Sequence, residues 1–517
     1  MVWSTIRRHV SGARPVRVIG RLLAALSALA LAAAAGEPAA DRSGAPPESL
    51  SLRRAIQLAL ANNRNLMKAG LDREVQRFDL RVALDEFLPN LDVASGIRYN
   101  PVTTAGTETE TRSGTASAVV TQRIPTGARF GLVWDNTATD RSTATAKVYD
   151  SSLFLQLDQP LLRGAGLGPN LAGVRIARLA EQNNVLEFQR TVMNTVTGVI
   201  FVYRALQQAQ RQVEVSESAV TRAREQLRIN RALVTSGILP PVEIIQTEAD
   251  IANQEYNLLT AQATRDSARV ALVKVLDVDR DSVFVPSEDI VLPEFALDPS
   301  TCRQLAFAHR PDYRQALQSK SISELDAAAA RNNQLWALNL SSRYRLTGND
   351  TTYPGAFDST FSRHDEDWNV GLTLQIPFGD LTRRQAYLRA RNRAHKADLD
   401  VTEVTENIEL EVRDAYRTVE LTSRRVRVAT VARELAERKL DIEKGKLQVG
   451  RTTNFAVVTF QNDLISARLN EIAAQIAYLN SLTLLEQTLG TTLGVWGIRV
   501  EDYGDGTGPA RAVASTP

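Results

Sequence analysis

One residue pattern occurs twice in this 517-residue chain, the second copy about two hundred residues after the first. After Pro241, the residues Val242, Ile245, Ala249, Ala252, Tyr256, Leu259 and Ala263 recur at alternating steps of three and four. Shifted by 213, the register holds Phe455, Val458, Asn462, Ile465, Leu469, Ile472 and Ile476. Gly237 and Gly450 obey the same offset, as do Leu276 and Leu489. Earlier in each half the offset is 247, placing Leu88-Pro89-Asn90-Leu91 over Leu335-Trp336-Ala337-Leu338. Three-four apolar spacing is the seam of a helix packed lengthwise on another helix. Duplication of such a unit within one chain predicts a pseudo-symmetric molecule.

Two periodicities alternate within each half. Ser51 is placed to cap a helix running to about Leu88, where Pro89 ends it. The period then becomes two: Leu91, Val93, Ile97 and Tyr99 alternate with Asp92, Ala94, Gly96 and Arg98. The second half matches with Leu338, Leu340, Tyr344 and Leu346, and return strands follow around Leu153–Leu157 and Trp368–Ile376. Each is about nine residues, the length a tilted strand needs to cross a bilayer. Trp134, Tyr149, Trp336, Trp368 and Phe378 fall near the expected strand ends. The segments 100–113, 139–147 and 347–366 read as loops rich in Thr, Ser, Gly, Asn and Asp. Only the first half carries an additional alternating pair, 115–124 and 129–135, around Pro125-Thr126-Gly127. If the strands close into a membrane barrel, this hairpin either adds two strands to it or lies outside it as a plug or flap.

After the strands comes a long helix in each half. Val192, Val199, Leu206, Val213, Val220, Leu227 and Val234 recur every seven residues before Gly237. Pro240-Pro241 starts a return helix to about Leu276. The second pair runs from about Leu381 to Val449, turns at Gly450, and returns to about Leu489. The offset falls from 217 at Pro160/Pro377 to 213 at the tips, which predicts a second long helix four residues shorter. The resulting division is 36–50 as a flexible lead-in, 51–297 as the first repeat, 298–490 as the second, and 491–517 as a tail. Within these, strands occupy about 91–158 and 338–376, and helical hairpins about 170–276 and 381–489.

Residues 1–35 read as a signal peptide. Arg7, Arg8, Arg14, Arg17 and Arg21 precede a short apolar run, Leu22 to Ala35, ending in small residues. That run is about 14 residues, short of the roughly 20 that span a bilayer. Removing those five arginines from 61 basic residues leaves 56 against 59 acidic ones, an almost neutral chain and a poor match for nucleic acid. Cys302 is the one cysteine, and His309, His364 and His395 are scattered without ligand spacing, so no metal or cofactor site is expected. No nucleophile elbow, P-loop or dinucleotide fingerprint occurs, which argues against an enzyme.

Several pieces together resemble the TolC-type outer-membrane efflux proteins. They are the helix starts Asn62-Asn63-Arg64-Asn65-Leu66 and Arg310-Pro311-Asp312-Tyr313, and the exit Leu88-Pro89-Asn90-Leu91. The strand ends Gln159-Pro160-Leu161 and Gln375-Ile376-Pro377-Phe378 join them, with the tips at Leu233–Gly237 and Leu447–Thr452. The resemblance covers about residues 50–490. It implies a mixed α and transmembrane-β homotrimer in the cell outer membrane, its β-barrel continued by a periplasmic α-barrel. It also implies a passive exit duct for small molecules or proteins, met by a periplasmic adaptor and an inner-membrane RND or ABC pump. An inserted extra hairpin makes 18 strands per trimer rather than the family's usual 12. The resemblance makes Val234, Gly237, Val449, Gly450, Arg451 and Thr452 the adaptor-contact tips, and Glu243 a periplasmic gate residue. Ala456 replaces the gate acid in the second half. The competing expectation is a periplasmic coiled-coil adaptor or scaffold without a membrane barrel.

Overall fold

The computed structural model describes residues 48–104, 107–237, 239–362, 365–449 and 451–499. The expected signal peptide, the tip residue Gly450 and the tail beyond 499 lie outside the described residues. Strand β1 (Glu48–Leu50) leads to Ser51, whose side chain accepts from the Arg54 N–H at 3.2 Å and starts helix α1 (Leu52–Asn62). The single helix expected to run to Leu88 breaks at Asn63. The Asn63 side chain accepts from the N–H groups of Asn65 and Leu66 and starts α2 (Arg64–Asp85).

The chain then enters the sheet: β2 (Asn90–Thr104), β3 (Thr107–Arg123), β4 (Arg129–Arg141) and β5 (Val148–Pro160). A short α3 (Leu167–Asn170) precedes the first long helix, α4 (Ala172–Thr235), and its return, α5 (Val242–Leu276). Strand β6 (Phe284–Pro286) pairs parallel with β1. The second half repeats the plan with α6 (Pro299–His309), α7 (Pro311–Asn332) and β7 (Ala337–Asp350). It continues with α8 (Tyr353–Ser362), β8 (Glu366–Gln375), α9 (Leu381–Gln448), α10 (Asn454–Leu489) and α11 (Thr492–Val495).

The six long strands form one antiparallel sheet in the order β2-β3-β4-β5-β7-β8. The extra hairpin is therefore integral to the sheet, with β3 and β4 each paired on both sides. Opposite residues share a face, so the register sorts the side chains. One face carries Leu91, Val93, Ile97, Leu132, Leu153, Leu155, Leu340, Trp368, Val370 and Leu372. The other carries Asp92, Arg98, Ser117, Asp135, Gln156, Arg343 and Asn369. Segments expected as loops extend the strands to between 10 and 17 residues. Trp134 consequently lies mid-strand in β4 rather than at a strand end.

Duplication is visible atom by atom. Asn63 Nδ2 donates to the Val275 carbonyl and Arg310 Nη1 to the Thr488 carbonyl, both at 3.3 Å. Each return helix then ends in a left-handed residue, Asp277 (φ 54°) and Gly490 (φ 74°). The long helices reverse the expected inequality: α4 has 64 residues and α9 has 68. The additional residues of the first half lie in the turn and α3, between Pro160 and Ala172, so no stutter shortens α9. One core gathers Leu50, Ile56, Val192, Val199, Tyr203, Leu206 and Leu272, and another Cys302, Ile408, Val412, Val419 and Leu485. Tyr203 donates to the Leu50 carbonyl at 2.8 Å, and burial pushes its hydroxyl up to about 12. The tail is ordered as far as described: Leu493, Trp496 and Ile498 pack on the first core.

Candidate functional site

The first tip closes by backbone geometry. Ser236 N–H donates to the Ala232 carbonyl and Gly237 N–H to that of Val234, both at 3.0 Å. Gly237 takes φ +75°, a conformation that spares only glycine a steric penalty. Val234 is half-buried and Gly237 exposed. At the second tip Val449 and Arg451 are exposed, and Arg451 N–H donates to the Lys446 carbonyl at 2.9 Å. Thr453 caps α10. Its neighbour Thr452 donates its hydroxyl to Glu443, which also receives Lys446 Nζ at 3.0 Å.

Those two contacts, Thr452 first, hold the Glu443 carboxyl below its ordinary value of 4.5. A depressed carboxylate adds stability that is present above 4.5 and lost as pH falls through the folded value. Protection of the 451–453 amides against hydrogen exchange is accordingly expected to fall below that pH. Thr452→Val is expected to lower protection at neutral pH and weaken its pH dependence; an unchanged profile would contradict this.

Glu243 lies in the first turn of α5. Its carbonyl accepts from Thr247 Oγ1 at 2.7 Å, while its Oε2 is buried without a hydrogen-bond partner among the described residues. Nearby lies a feature that sequence reasoning missed: a buried polar lattice joining the two hairpins. Gln226 Nε2 donates to Asn230 Oδ1 (2.9 Å) and Asn454 Oδ1 (3.2 Å). Thr247 Oγ1 accepts from Asn230 Nδ2 (2.7 Å) and Asn454 Nδ2 (3.2 Å). One step further along, Gln254 Nε2 reaches Asp250 and Asn462. The lattice fastens α4 and α5 to α10 through directional bonds rather than apolar fit.

The apolar stripe of α5 does not make that contact. Val242, Ile245, Tyr256 and Leu259 are 63–71% exposed, and Thr247, Asp250 and Gln254 are buried in their place. The lengthwise packing expected of this stripe is therefore not made within the described residues of one protomer. A second unpartnered stripe runs along α9 through Leu399, Leu410, Leu421, Val428, Leu435 and Ile442.

A family model described as outer membrane efflux protein matches residues 55–277 and 302–491. Proteases secretion protein PrtF of Dickeya chrysanthemi is 21% identical over 465 residues, which cover 87% of this chain and 90% of that protein. Outer membrane efflux protein BepC of Brucella suis biovar 1 (strain 1330) is 21% identical over 373 residues, covering 71% and 78%. The Campylobacter jejuni CmeC outer membrane channel shares the fold with a TM-score of 0.62 at 16% identity, over 85% of this chain and 86% of that one. With most of its length matched and its strands and helical hairpins in the same arrangement, this chain belongs to the outer membrane efflux protein family, as a TolC-type efflux channel of the outer membrane with a periplasmic helical extension, and is not an enzyme.

Proposed function

We propose that three copies of this chain close into one 18-stranded barrel and a periplasmic helical tube, forming a passive exit duct. The family's channels are trimeric and work with efflux pumps. The supporting observation is the pair of open sheet edges: among the described residues of the protomer, β2 and β8 each pair on one side only. In lipid an open edge leaves backbone groups unsatisfied, and joining β2 of one copy to β8 of the next removes both edges. The helices follow the same head-to-tail rule. Within the protomer α4 packs on both α5 and α10, and α10 on α9. The bare stripes of α5 and α9 are thus left to meet each other across copies, a heterologous contact that closes into a ring.

At the far end of the tube, Val234, Gly237, Val449, Arg451 and Thr452 form the surface that a periplasmic adaptor contacts. An inner-membrane RND or ABC pump supplies energy and cargo, either small molecules or, as the name of PrtF indicates for that relative, proteases. Val449→Cys is expected to cross-link to the adaptor in intact cells, and absence of any adaptor adduct would count against this contact. Glu243 contributes one carboxylate per copy to a cation-sensitive constriction. Glu243→Gln is expected to weaken divalent-cation block of single channels; unchanged conductance and block would sink that role.

The polar lattice then acts as the latch between hairpins. Asn454→Ala removes two bridging bonds and leaves Gln226 and Thr247 bonded only within the first hairpin, a cost of about 1–3 kcal/mol. The variant is expected to conduct more in planar bilayers than the parent. Equal conductance with equal thermal stability would contradict a latch.

A further inference from the structure

Helix α8 wears its polarity inside out. Its inward residues are small or polar: Ala356, Ser359 and Thr360 are 0%, 3% and 2% exposed. Its aromatic residues stay largely uncovered, Tyr353, Phe357 and Phe361 being 45%, 42% and 52% exposed, with Phe357 at the flank against Trp134. A helix docked on a protein in water does the opposite, burying its aromatics. Close docking on small residues with aromatics outward is how helices pack beside lipid.

The docking is tight and specific. Thr360 Oγ1 donates to the Ser151 carbonyl at 3.2 Å, and Ser359 Oγ lies 3.4 Å from the Asn349 carbonyl. A Cβ on Gly348 would overlap Thr360 N and lie 2.5 Å from the Ala356 carbonyl oxygen. Phe357 packs edge-on against Trp134 and Phe361, with ring centroids 5.7 and 5.4 Å apart.

The face beneath the helix is decisive. Ser151 stands opposite Gly348, and Trp134 opposite Leu153, which stands opposite Leu346. These residues belong to the apolar face that carries Leu155, Leu340 and Leu372, not to the polar one. Gly348 lies roughly 35 Å along β7 from the end nearer the long helices, close to the height of the ~30 Å hydrocarbon core once the strand tilts. The helix covers β5 and β7, inside the sheet rather than at its β2 or β8 edges, so a neighbouring copy joined at those edges does not cover it.

We infer that α8 lies on the outer wall of the barrel at the level of the outer leaflet, and that Tyr353, Phe357 and Phe361 contact lipid at the boundary of acyl chains and headgroups. The inference rests on the barrel reading proposed above. It continues the apolar band of the sheet onto a separate aromatic-bearing helix.

The test places a fluorophore at single cysteines, Phe361→Cys, Leu372→Cys and Asn369→Cys, with the native Cys302 fully buried and unlabelled. Each protein is reconstituted in phosphatidylcholine vesicles whose acyl chains carry a nitroxide either near the headgroup or near the chain end. Leu372 on the apolar face is expected to lose emission and Asn369 on the polar face to keep it. Phe361 is expected to lose emission most with the nitroxide near the headgroup. Quenching at Leu372 without quenching at Phe361 would overturn the lipid contact of α8 while leaving the barrel intact. Absence of quenching at both positions would overturn the barrel reading as well.

Discussion

Leu259→Asp is expected to leave the protomer folded and abolish the trimer. In the isolated protomer Leu259 is 65% exposed, so a carboxylate there meets water and disturbs little. Buried in the trimer against the α9 stripe of the next copy, it would forfeit about 1.5–3 kcal/mol of apolar burial. It would also bring an unpaired charge into an apolar contact, a penalty of several kcal/mol, and both costs recur at three interfaces. Mass measurement of the detergent-solubilised protein by light scattering reads the result. Leu259→Met keeps the apolar volume and is expected to remain trimeric. A trimer of undiminished heat stability in Leu259→Asp would show that the α5 stripe faces something else.

Gly127→Ala is expected to be among the most damaging single-methyl additions in the sheet. Gly127 turns β3 into β4 with φ +95°, where an L side chain is strained. Its Cβ would overlap the Gly164 carbonyl oxygen and lie 2.7 Å from Asn170 Nδ2. Asn170 is a hub: Nδ2 donates to the Gly164 and Gly166 carbonyls at 2.7 Å, and Oδ1 accepts from Arg123 at 2.9 Å. The methyl group therefore strains one backbone position and displaces the side chain that ties the β3–β4 turn to the start of the long helix. Strain and overpacking together are expected to cost about 3 kcal/mol or more. Gly114→Ala, where a Cβ meets nothing within 4 Å, is the matched control and is expected to change stability by about 0.5 kcal/mol or less. Thermal unfolding of the two trimers compares them directly; equal midpoints would refute the steric argument.

Much of the fold was legible because the duplication supplies each signal twice. The sevenfold series on α4 is a true seam, with Val192, Val199, Leu206, Val213 and Val220 all buried. The alternation of β2 and β7 sorts onto the two sheet faces as expected. Other features were hidden for identifiable reasons. Apolar spacing on α5 shows that a stripe exists but not which neighbour covers it, and among the described residues of the protomer none does. The polar lattice was missed because Thr247, Asp250 and Gln254 read as a solvated helix face, although Gln226, Asn230 and Asn454 from distant segments satisfy the buried positions. Helix α8 reads as loop in the sequence because Asp350, Thr351 and Thr352 precede it and Pro354 and Gly355 fall in its first turn. The spacing of Tyr353, Phe357 and Phe361 by four was the signal that could have revealed it.

The most direct measurement is a strand count in the detergent-purified particle by electron cryomicroscopy. Three copies, each contributing the six strands of one sheet, are expected to close a barrel of 18 strands, with β2 of each copy paired to β8 of the next. A barrel of 12 strands with the β3–β4 hairpin outside the wall, or a particle with no barrel at all, would contradict it.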